Sequence, residues 1–389
     1  MNAKPRIYLD NAATSWPKPE AVYTAVDHYQ REIGAPSGRS GYHEATAANR
    51  IVERSRQAVA RLIGVRDSRQ VVFTANGTES LNLAIFGVLR HGDHVVTTVC
   101  EHNSVLRPLR ALCDAGVISV TYVPCDGAGY VSPDDVRGAL RAETRLAAIV
   151  HGSNVTGAIQ NVQEIGAVVR ERDILLLVDA AQTLGHVPID VEDMQVDLLA
   201  APGHKGLLGP LGTGVLYIRP SIEKELKPLR LGGTGTLSQE DRQPETLPDK
   251  YESGNHNVAG LAGLAAGVEF IQSRSVESTQ AHHAQLAKQL LDGLTAITGI
   301  NIHGPGAKSP RTSVVSFTMN GYDPQELAAL LDVSGGVQGR AGLHCAPRMH
   351  EALGTLEQGG TVRLSPGWAT TETEIDRTVE LIATLAAAK

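Results

Sequence analysis

A lysine in a glycine-rich turn follows an acidic residue that ends an apolar run. The turn spans residues 203–206, with Lys205 as its third residue, and the apolar run 174–178 ends at Asp179. A lysine amine can form a Schiff base with an aldehyde, and a carboxylate can keep a pyridine nitrogen protonated so that the ring accepts electrons. Pyridoxal 5'-phosphate (PLP) requires both groups. Most lysines are solvated surface charges, so this interpretation depends on the rest of the site.

A second candidate is an anion-binding turn at residues 76–80, which follows one predicted strand and opens a predicted helix. Free amides and the positive end of the helix dipole favour a phosphate there. Gly77 lets the phosphate approach the backbone, and the hydroxyl of Thr78 adds a donor. The alternative is an ordinary N-cap with Glu79 in the first turn, which needs no ligand.

Further polar residues supply the remaining functions of such a site. The ring of His102 could stack on a pyridine or relay protons, although a lone histidine is more often simply a satisfied polar residue. Asn154 and Gln182 could hydrogen-bond the phenolic oxygen of the cofactor, and His204 could reach its phosphate. Arg363 is a candidate fork for a substrate carboxylate, with a strand-edge salt bridge as the alternative.

These residues lie on an alternating pattern of apolar runs and amphipathic stretches. The predicted strands are 71–74, 95–99, 117–123, 146–150, 174–178 and 196–200, and the helices among them are 79–89 and 104–114. Such a pattern predicts an α/β fold with a mostly parallel sheet covered on both faces, whose ligands bind at the carboxyl ends of the strands. Thr74, Glu101, His151 and Asp179 fall there.

The rest of the chain predicts a smaller C-terminal α/β domain. Residues 215–218 follow the lysine turn too closely for a helical crossover, so that strand should be antiparallel to 196–200. Residues 231–251 are predicted as a long surface loop. Further predicted elements are helices 17–32, 258–272, 282–295, 324–331 and 372–387, and strands 312–319 and 361–364. We expect a large PLP-binding domain at 18–258 and a small domain formed by 1–17 and 259–389.

Composition excludes several classes of protein. A chain of 389 residues is long enough for two domains, and a net charge of −7 without a basic cluster disfavours nucleic-acid binding. No apolar run approaches the roughly 18–20 residues that span a bilayer, and none follows the N-terminus as a secretory signal would. The four cysteines show no CxxC pair and no metal-type spacing. We therefore expect a reduced cytoplasmic protein with no metal site.

An ordered set of motifs between residues 9 and 368 resembles the class V aminotransferase family, and most closely its cysteine desulfurase and selenocysteine lyase branch. The motifs are Asp10-Asn11-Ala12-Ala13-Thr14, Asn76-Gly77-Thr78-Glu79, Glu101-His102-Asn103-Ser104, Ser153-Asn154-Val155-Thr156-Gly157, Asp179-Ala180-Ala181-Gln182 and Gly203-His204-Lys205. The resemblance implies a homodimeric fold-type-I PLP enzyme with active sites near the subunit interface.

The resemblance also implies a role for each residue. The implied roles are the Schiff base for Lys205, the pyridine nitrogen for Asp179, ring stacking for His102, the phenolic oxygen for Asn154 and Gln182, phosphate contacts for Gly77, Thr78 and His204, and substrate contacts for Arg363, Asn11, His43 and Arg340. Asn255 stands where the family has a threonine that reaches the phosphate of the neighbouring subunit. Pro202 replaces a usual serine or threonine, which removes a hydroxyl and an N–H near the phosphate.

The segment 340–347 determines which reaction is predicted. It contains Cys345 after a histidine and resembles the catalytic segment of SufS-like desulfurases, in which a thiolate is the nucleophile. We therefore expect L-cysteine to become L-alanine while Cys345 takes the sulfur as a persulfide for a small thiol or an acceptor protein. The alternatives are a PLP-dependent C–S or C–Se lyase, a transaminase of a small amino acid, or a non-catalytic module of the same fold.

Overall fold

The computed structural model describes residues 6–38, 40–236 and 239–388. The strands are β1 (Ile7–Tyr8), β2 (Val71–Thr74), β3 (His94–Thr98), β4 (Ser119–Val123), β5 (Thr144–Val150), β6 (Leu175–Asp179), β7 (Leu198–Pro202), β8 (Gly214–Ile218), β9 (Ile300–His303), β10 (Val315–Met319), β11 (Val337–Gln338), β12 (Arg340–Gly342) and β13 (Thr361–Leu364). The helices are α1 (Glu20–His28), α2 (His43–Leu62), α3 (Gly77–Val88), α4 (Asn103–Asp114), α5 (Pro133–Ala139), α6 (Val162–Arg170), α7 (Val258–Arg274), α8 (Val276–Thr295), α9 (Pro324–Gly335), α10 (Pro347–Ala352) and α11 (Glu372–Ala387).

A seven-stranded sheet forms the centre of the molecule, in the order β2-β8-β7-β6-β5-β3-β4. Strands β3 to β7 pair in parallel with their neighbours, whereas β8 is antiparallel to both β7 and β2. The predicted α/β fold is confirmed, and so is the antiparallel strand after the lysine turn.

Both faces of this sheet are buried, which explains why its strands are apolar without a polar alternation. Leu176 and Val178 of β6 point into one hydrophobic core, while Leu175 and Leu177 point into the other. Helix α7 packs against α1 and α2 and adds residues such as Leu264 to the first core.

A four-stranded antiparallel sheet, β12-β13-β10-β9, forms a second layer with its own core. Phe317 of β10 packs there with side chains such as Leu286 of α8 and Ile375 of α11. Strand β1 pairs in parallel with β11 and ties the N-terminal segment to this layer. The boundary between the two domains at residue 258 stays a prediction. Helix α7, which begins at that residue, contributes to the core of the large sheet.

Several local features differ from the sequence prediction. The helix expected at 17–32 begins at Glu20, because Pro19 disfavours a helical conformation at residue 18, and its last turn is a π-helix at Tyr29–Ile33. The described residues of 231–251 form neither helix nor strand, as predicted. Among the helices that the structure describes, none is both long and apolar enough to cross a membrane.

Candidate active site

A cavity of about 240 Å³ lies at the carboxyl ends of β5, β6 and β7. Side chains from both layers line it, because β12 and β13 present Arg340 and Arg363 to the same space. The predicted site residues that line this cavity are Gly77, Thr78, His102, Asn154, Asp179, Gln182, His204, Lys205, Arg340 and Arg363. The fold therefore assembles residues that are up to nearly three hundred positions apart in the sequence.

Lys205 lies in the turn after β7 and faces the same cavity as Asp179, the last residue of β6. Burial lowers the pKa of Lys205 to about 8, with Asp179 opposing the shift and Arg363 adding to it. Burial also raises the pKa of Asp179, although a hydrogen bond from the Ala181 N–H at 2.9 Å and the charge of Lys205 favour its ionised form.

A second amine, that of the half-buried Lys18, has a similarly lowered pKa but lies outside the cavity. Burial lowers the pKa of Lys18 to about 8 as well. Its Nζ, however, donates to the Ser15 hydroxyl at 2.7 Å and to the His204 carbonyl at 2.8 Å, and it does not line the cavity. Lys205 is thus the amine that a ligand in this cavity would meet.

The N-terminus of α3 forms one wall of the cavity. Asn76 caps this helix by accepting a hydrogen bond from the Glu79 N–H at 2.9 Å, which is the arrangement of the ligand-free alternative. The cap and an anion site are compatible, because the cap uses a side chain and leaves other first-turn amides free. A Cβ on Gly77 would lie 3.0 Å from Cδ of Pro202, so this close approach favours glycine.

His102 caps α4 and is fixed by a chain of hydrogen bonds. Its Nδ1 accepts from the Ser104 N–H at 3.0 Å, and the Ser104 hydroxyl lies 2.8 Å from that of Thr78. Burial, together with the charges of Lys205 and the nearby arginines, lowers the pKa of His102 to about 4. The ring is therefore neutral near pH 7, and its proton lies on Nε2 because Nδ1 is an acceptor.

Arg363 is almost completely buried and only partly satisfied. Its Nη2 donates to Asp10 Oδ1 at 2.8 Å and its Nη1 to the Asn154 carbonyl at 3.1 Å. Its Nε and the Asn154 Oδ1 have no hydrogen-bond partner among the described residues. The salt bridge that the sequence left as an alternative is present, yet polar atoms remain for a ligand.

Other predicted residues have their polar atoms engaged elsewhere. Gln182 lines the cavity, but its Nε2 donates to the Ala12 carbonyl at 3.0 Å. Asn11 does not line it, since its Nδ2 donates to the Ser365 carbonyl at 3.0 Å and its Oδ1 accepts from the Trp16 N–H at 3.2 Å. Both amides therefore tie chain segments together around the site.

Two predicted residues lie outside the cavity on the surface. His43 is the first residue of α2, its side chain is 83% exposed, and it lies 3.7 Å from the carboxylate of Glu44. Asn255 is exposed and lines two separate surface cavities, one of which is also lined by residues 233–236. Neither side chain lines the cavity that contains Lys205.

Cys345 lies in the turn between β12 and α10; it does not itself line the cavity but directly follows a residue that does. It is half-buried, and its carbonyl accepts a hydrogen bond from the Asn103 N–H at 2.7 Å. The preceding residue, His344, lines the cavity, and its Nε2 donates to the Thr361 carbonyl at 3.2 Å and lies 3.1 Å from the Thr361 hydroxyl. Both residues have positive φ, 48° and 59°, a conformation that is costly for residues other than glycine. The surrounding packing holds this turn in place.

Two residues of the site were not predicted to have a role there. Asp10 balances the buried charge of Arg363, and the signal for it was its place in the N-terminal motif. Ser104 links His102 to Thr78, and the signal for it was its place in the motif at residues 101–104. Glu101 was placed at the ligand-binding edge, but it does not line the cavity. Its Oε1 accepts from the Val150 N–H at 2.9 Å, and burial raises its pKa to about 8.

Comparisons with known proteins agree with this architecture. The family model described as aminotransferase class-V matches residues 7–378. A probable cysteine desulfurase of Methanothermobacter thermautotrophicus is 37% identical over 95% of this chain and 92% of its own length. The apo structure of a cysteine desulfurase from Thermococcus onnurineus NA1 has a TM-score of 0.91 at 32% identity, and it covers 99% of this chain and 95% of that one.

A second solved structure, the cysteine desulfurase CsdA of Escherichia coli, has a TM-score of 0.88 at 28% identity, covering 98% of this chain and 94% of that one. The family match extends over nearly the whole chain, from the first residue of β1 to the first half of α11. This chain therefore belongs to the class V aminotransferase family.

Proposed function

We propose that this protein is a PLP-dependent cysteine desulfurase that converts L-cysteine to L-alanine and transfers the sulfur to Cys345 as a persulfide. One observation carries the proposal: the Cys345 turn adjoins a cavity in which Lys205 and Asp179 face the same space. Relatives over nearly the full length of the chain bear the name cysteine desulfurase. The more specific assignment to a SufS-like branch stays a prediction.

The cavity residues suit PLP in charge and hydrogen bonding. Amides at the N-terminus of α3 and the buried, unpartnered Nδ1 of His204 are available to a phosphate. Asn154, whose Oδ1 is unpartnered, and Lys205 line the same cavity as Asp179. When bound, PLP would supply a protonated pyridine ring that accepts electrons from the Cα of an amino acid.

The protein side chains would then bind the substrate and move its proton. Arg363 would bind the carboxylate of cysteine with the nitrogen atoms that Asp10 leaves free. The Nζ of Lys205 would remove the Cα proton, and its pKa, lowered to about 8, favours this role by increasing the fraction of neutral amine near neutral pH. Asp179 would hold the proton of the pyridine nitrogen, and His102 would cover the ring.

Cys345 would carry out the sulfur transfer. Its thiolate would attack the sulfur of the bound cysteine, so that an S–S bond forms while the Cβ–S bond breaks and leaves its electron pair on carbon. That carbon takes a proton, alanine leaves, and the substrate sulfur remains on Cys345 as a persulfide. Because the turn is short and fixed by the Asn103 contact, the sulfur acceptor would have to reach the rim of the cavity.

We also propose that the enzyme acts as a homodimer. His43 and Asn255 are exposed and lie outside the Lys205 cavity of their own chain, so they are positioned for contacts beyond it. In a dimer of the kind the family forms, Asn255 would donate from its amide to the phosphate bound in the partner subunit. His43 would likewise contact the substrate bound in the partner subunit.

The test is replacement of Cys345 with alanine. We expect the Cys345→Ala protein to retain PLP absorbance and to lose alanine and sulfide formation from cysteine in the presence of a reducing thiol. Cys113→Ala is the matched control, because Cys113 is a half-buried thiol on α4 outside the cavity, and it should retain activity. Full activity in Cys345→Ala would instead favour a lyase that needs no protein thiol.

A further inference from the structure

The ends of β3 and β4 bring together two cysteines that are well separated in sequence. These parallel strands pair in register up to Thr98 and Val123, and the Val99 N–H donates to the Val123 carbonyl at 3.0 Å. Cys100 and Cys125 each come two residues after the last pair. The two side chains hydrogen-bond to each other, so the two sulfur atoms are direct neighbours just beyond the paired ends of the strands.

The two thiols differ in exposure and in acidity. Cys100 is fully buried and its Sγ donates to the Gly129 carbonyl at 3.6 Å, whereas Cys125 is half-buried. Hydrogen bonding with Cys100 lowers the pKa of Cys125, and the same interaction together with burial raises the pKa of Cys100. Cys125 is therefore the thiol that is both accessible and more easily ionised, and Cys100 is placed next to it.

We propose that Cys100 and Cys125 are an oxidation site that closes to a disulfide and displaces the turn carrying His102. With hydrogen peroxide as oxidant, the Cys125 thiolate attacks one peroxide oxygen; the O–O bond breaks, a sulfenic acid forms, and the leaving hydroxide takes up the thiol proton as one water. The Cys100 thiol then attacks that sulfur, and a second water leaves as the S–S bond forms. Two thiols and one peroxide thus yield one disulfide and two waters.

The position of the pair connects it to the cavity. Formation of the S–S bond removes the Cys100 S–H, and with it the hydrogen bond to the Gly129 carbonyl. Cys100 directly precedes Glu101 and His102, and His102 caps α4 and lines the cavity. Closure of the disulfide therefore changes the contacts of the segment that leads into His102, the residue that would cover the PLP ring.

The experiment uses PLP-loaded Cys345→Ala protein, so that oxidation of Cys345 cannot contribute to the observed changes. After hydrogen peroxide treatment and alkylation, we expect a linked Cys100–Cys125 peptide lighter by two hydrogen atoms, together with a shift in the visible absorbance of PLP that dithiothreitol reverses. The same protein with Cys125→Ser should show neither change, whereas Cys113→Ser should show both.

Alkylation of both thiols after peroxide treatment would overturn the disulfide. A linked peptide with an unchanged PLP spectrum would overturn the connection to His102. That connection rests on the proposed cofactor site, but the peptide mapping does not, so the two proposals fail in distinguishable ways.

Discussion

Replacing Arg363 with lysine should weaken the binding of the substrate carboxylate more than it slows the reaction. Lysine keeps a positive charge opposite Asp10 but loses the planar fork that contacts Asp10 and the Asn154 carbonyl. A hydrogen bond to a charged group contributes about 1.5–3 kcal/mol. At about 1.4 kcal/mol for each tenfold change, the loss of one such bond raises KM for L-cysteine by about 10- to 100-fold.

The assay is the initial rate of alanine formation as a function of cysteine concentration, with PLP content and thermal unfolding measured on the same samples. Arg348→Lys is the matched control, because Arg348 lies over the Tyr122 ring at 3.7 Å and does not line the cavity. An unchanged KM with a lowered kcat in Arg363→Lys would refute the assignment of Arg363 to the carboxylate.

Three further predictions concern charged groups around the site and in the core. Glu252→Gln should lower the unfolding free energy by on the order of 3 kcal/mol in urea titrations, because it removes the buried counter-charge of Arg56 and leaves only the exposed Glu53 at 3.9 Å; an unchanged value would contradict this. Burial alone would raise the pKa of Glu252, but Arg56 and His256 lower it to about 2. The ionised carboxylate therefore contributes fully to folding stability above about pH 4.5, and this contribution is lost as the pH falls toward 2. PLP should bind the apoprotein faster as pH rises through about 8, since only a neutral Lys205 attacks an aldehyde, and a pH-independent rate in stopped-flow absorbance would contradict that. Asp179→Asn should keep the cofactor but lower kcat by about 100-fold or more, measured as alanine formed, because the ring loses its stabilising charge; a kcat near that of the wild type would contradict this role.

The sequence predicted the central sheet well, because its strands are short, apolar and separated by clear helical patterns. It did not predict α2, whose buried face consists mainly of alanines with Ser55 and Arg56. A face of that kind carries few large apolar side chains, and the burial of Arg56 depends on Glu252, which is far away in sequence. Strand β12 is three residues long, too short to give a pattern.

The site shows the same division between local and long-range information. Lys205 and Asp179 were recognisable because each carries its own local context, a glycine-rich turn and a strand end. The pairing of Arg363 with Asp10, and of Cys100 with Cys125, depends on how distant segments are brought together. Spacing along the chain carries no signal for such pairs, so cysteine spacing alone suggested four unrelated thiols.

The most direct test of the proposed function is to identify the lysine that holds the cofactor. Sodium borohydride reduction of the PLP-loaded protein fixes the phosphopyridoxyl group to that lysine, and peptide mapping locates it. We predict a single label on Lys205, because the Lys205 side chain shares the cavity with Asp179. A label on Lys18, the other buried amine with a pKa of about 8, or no label at all, would contradict it.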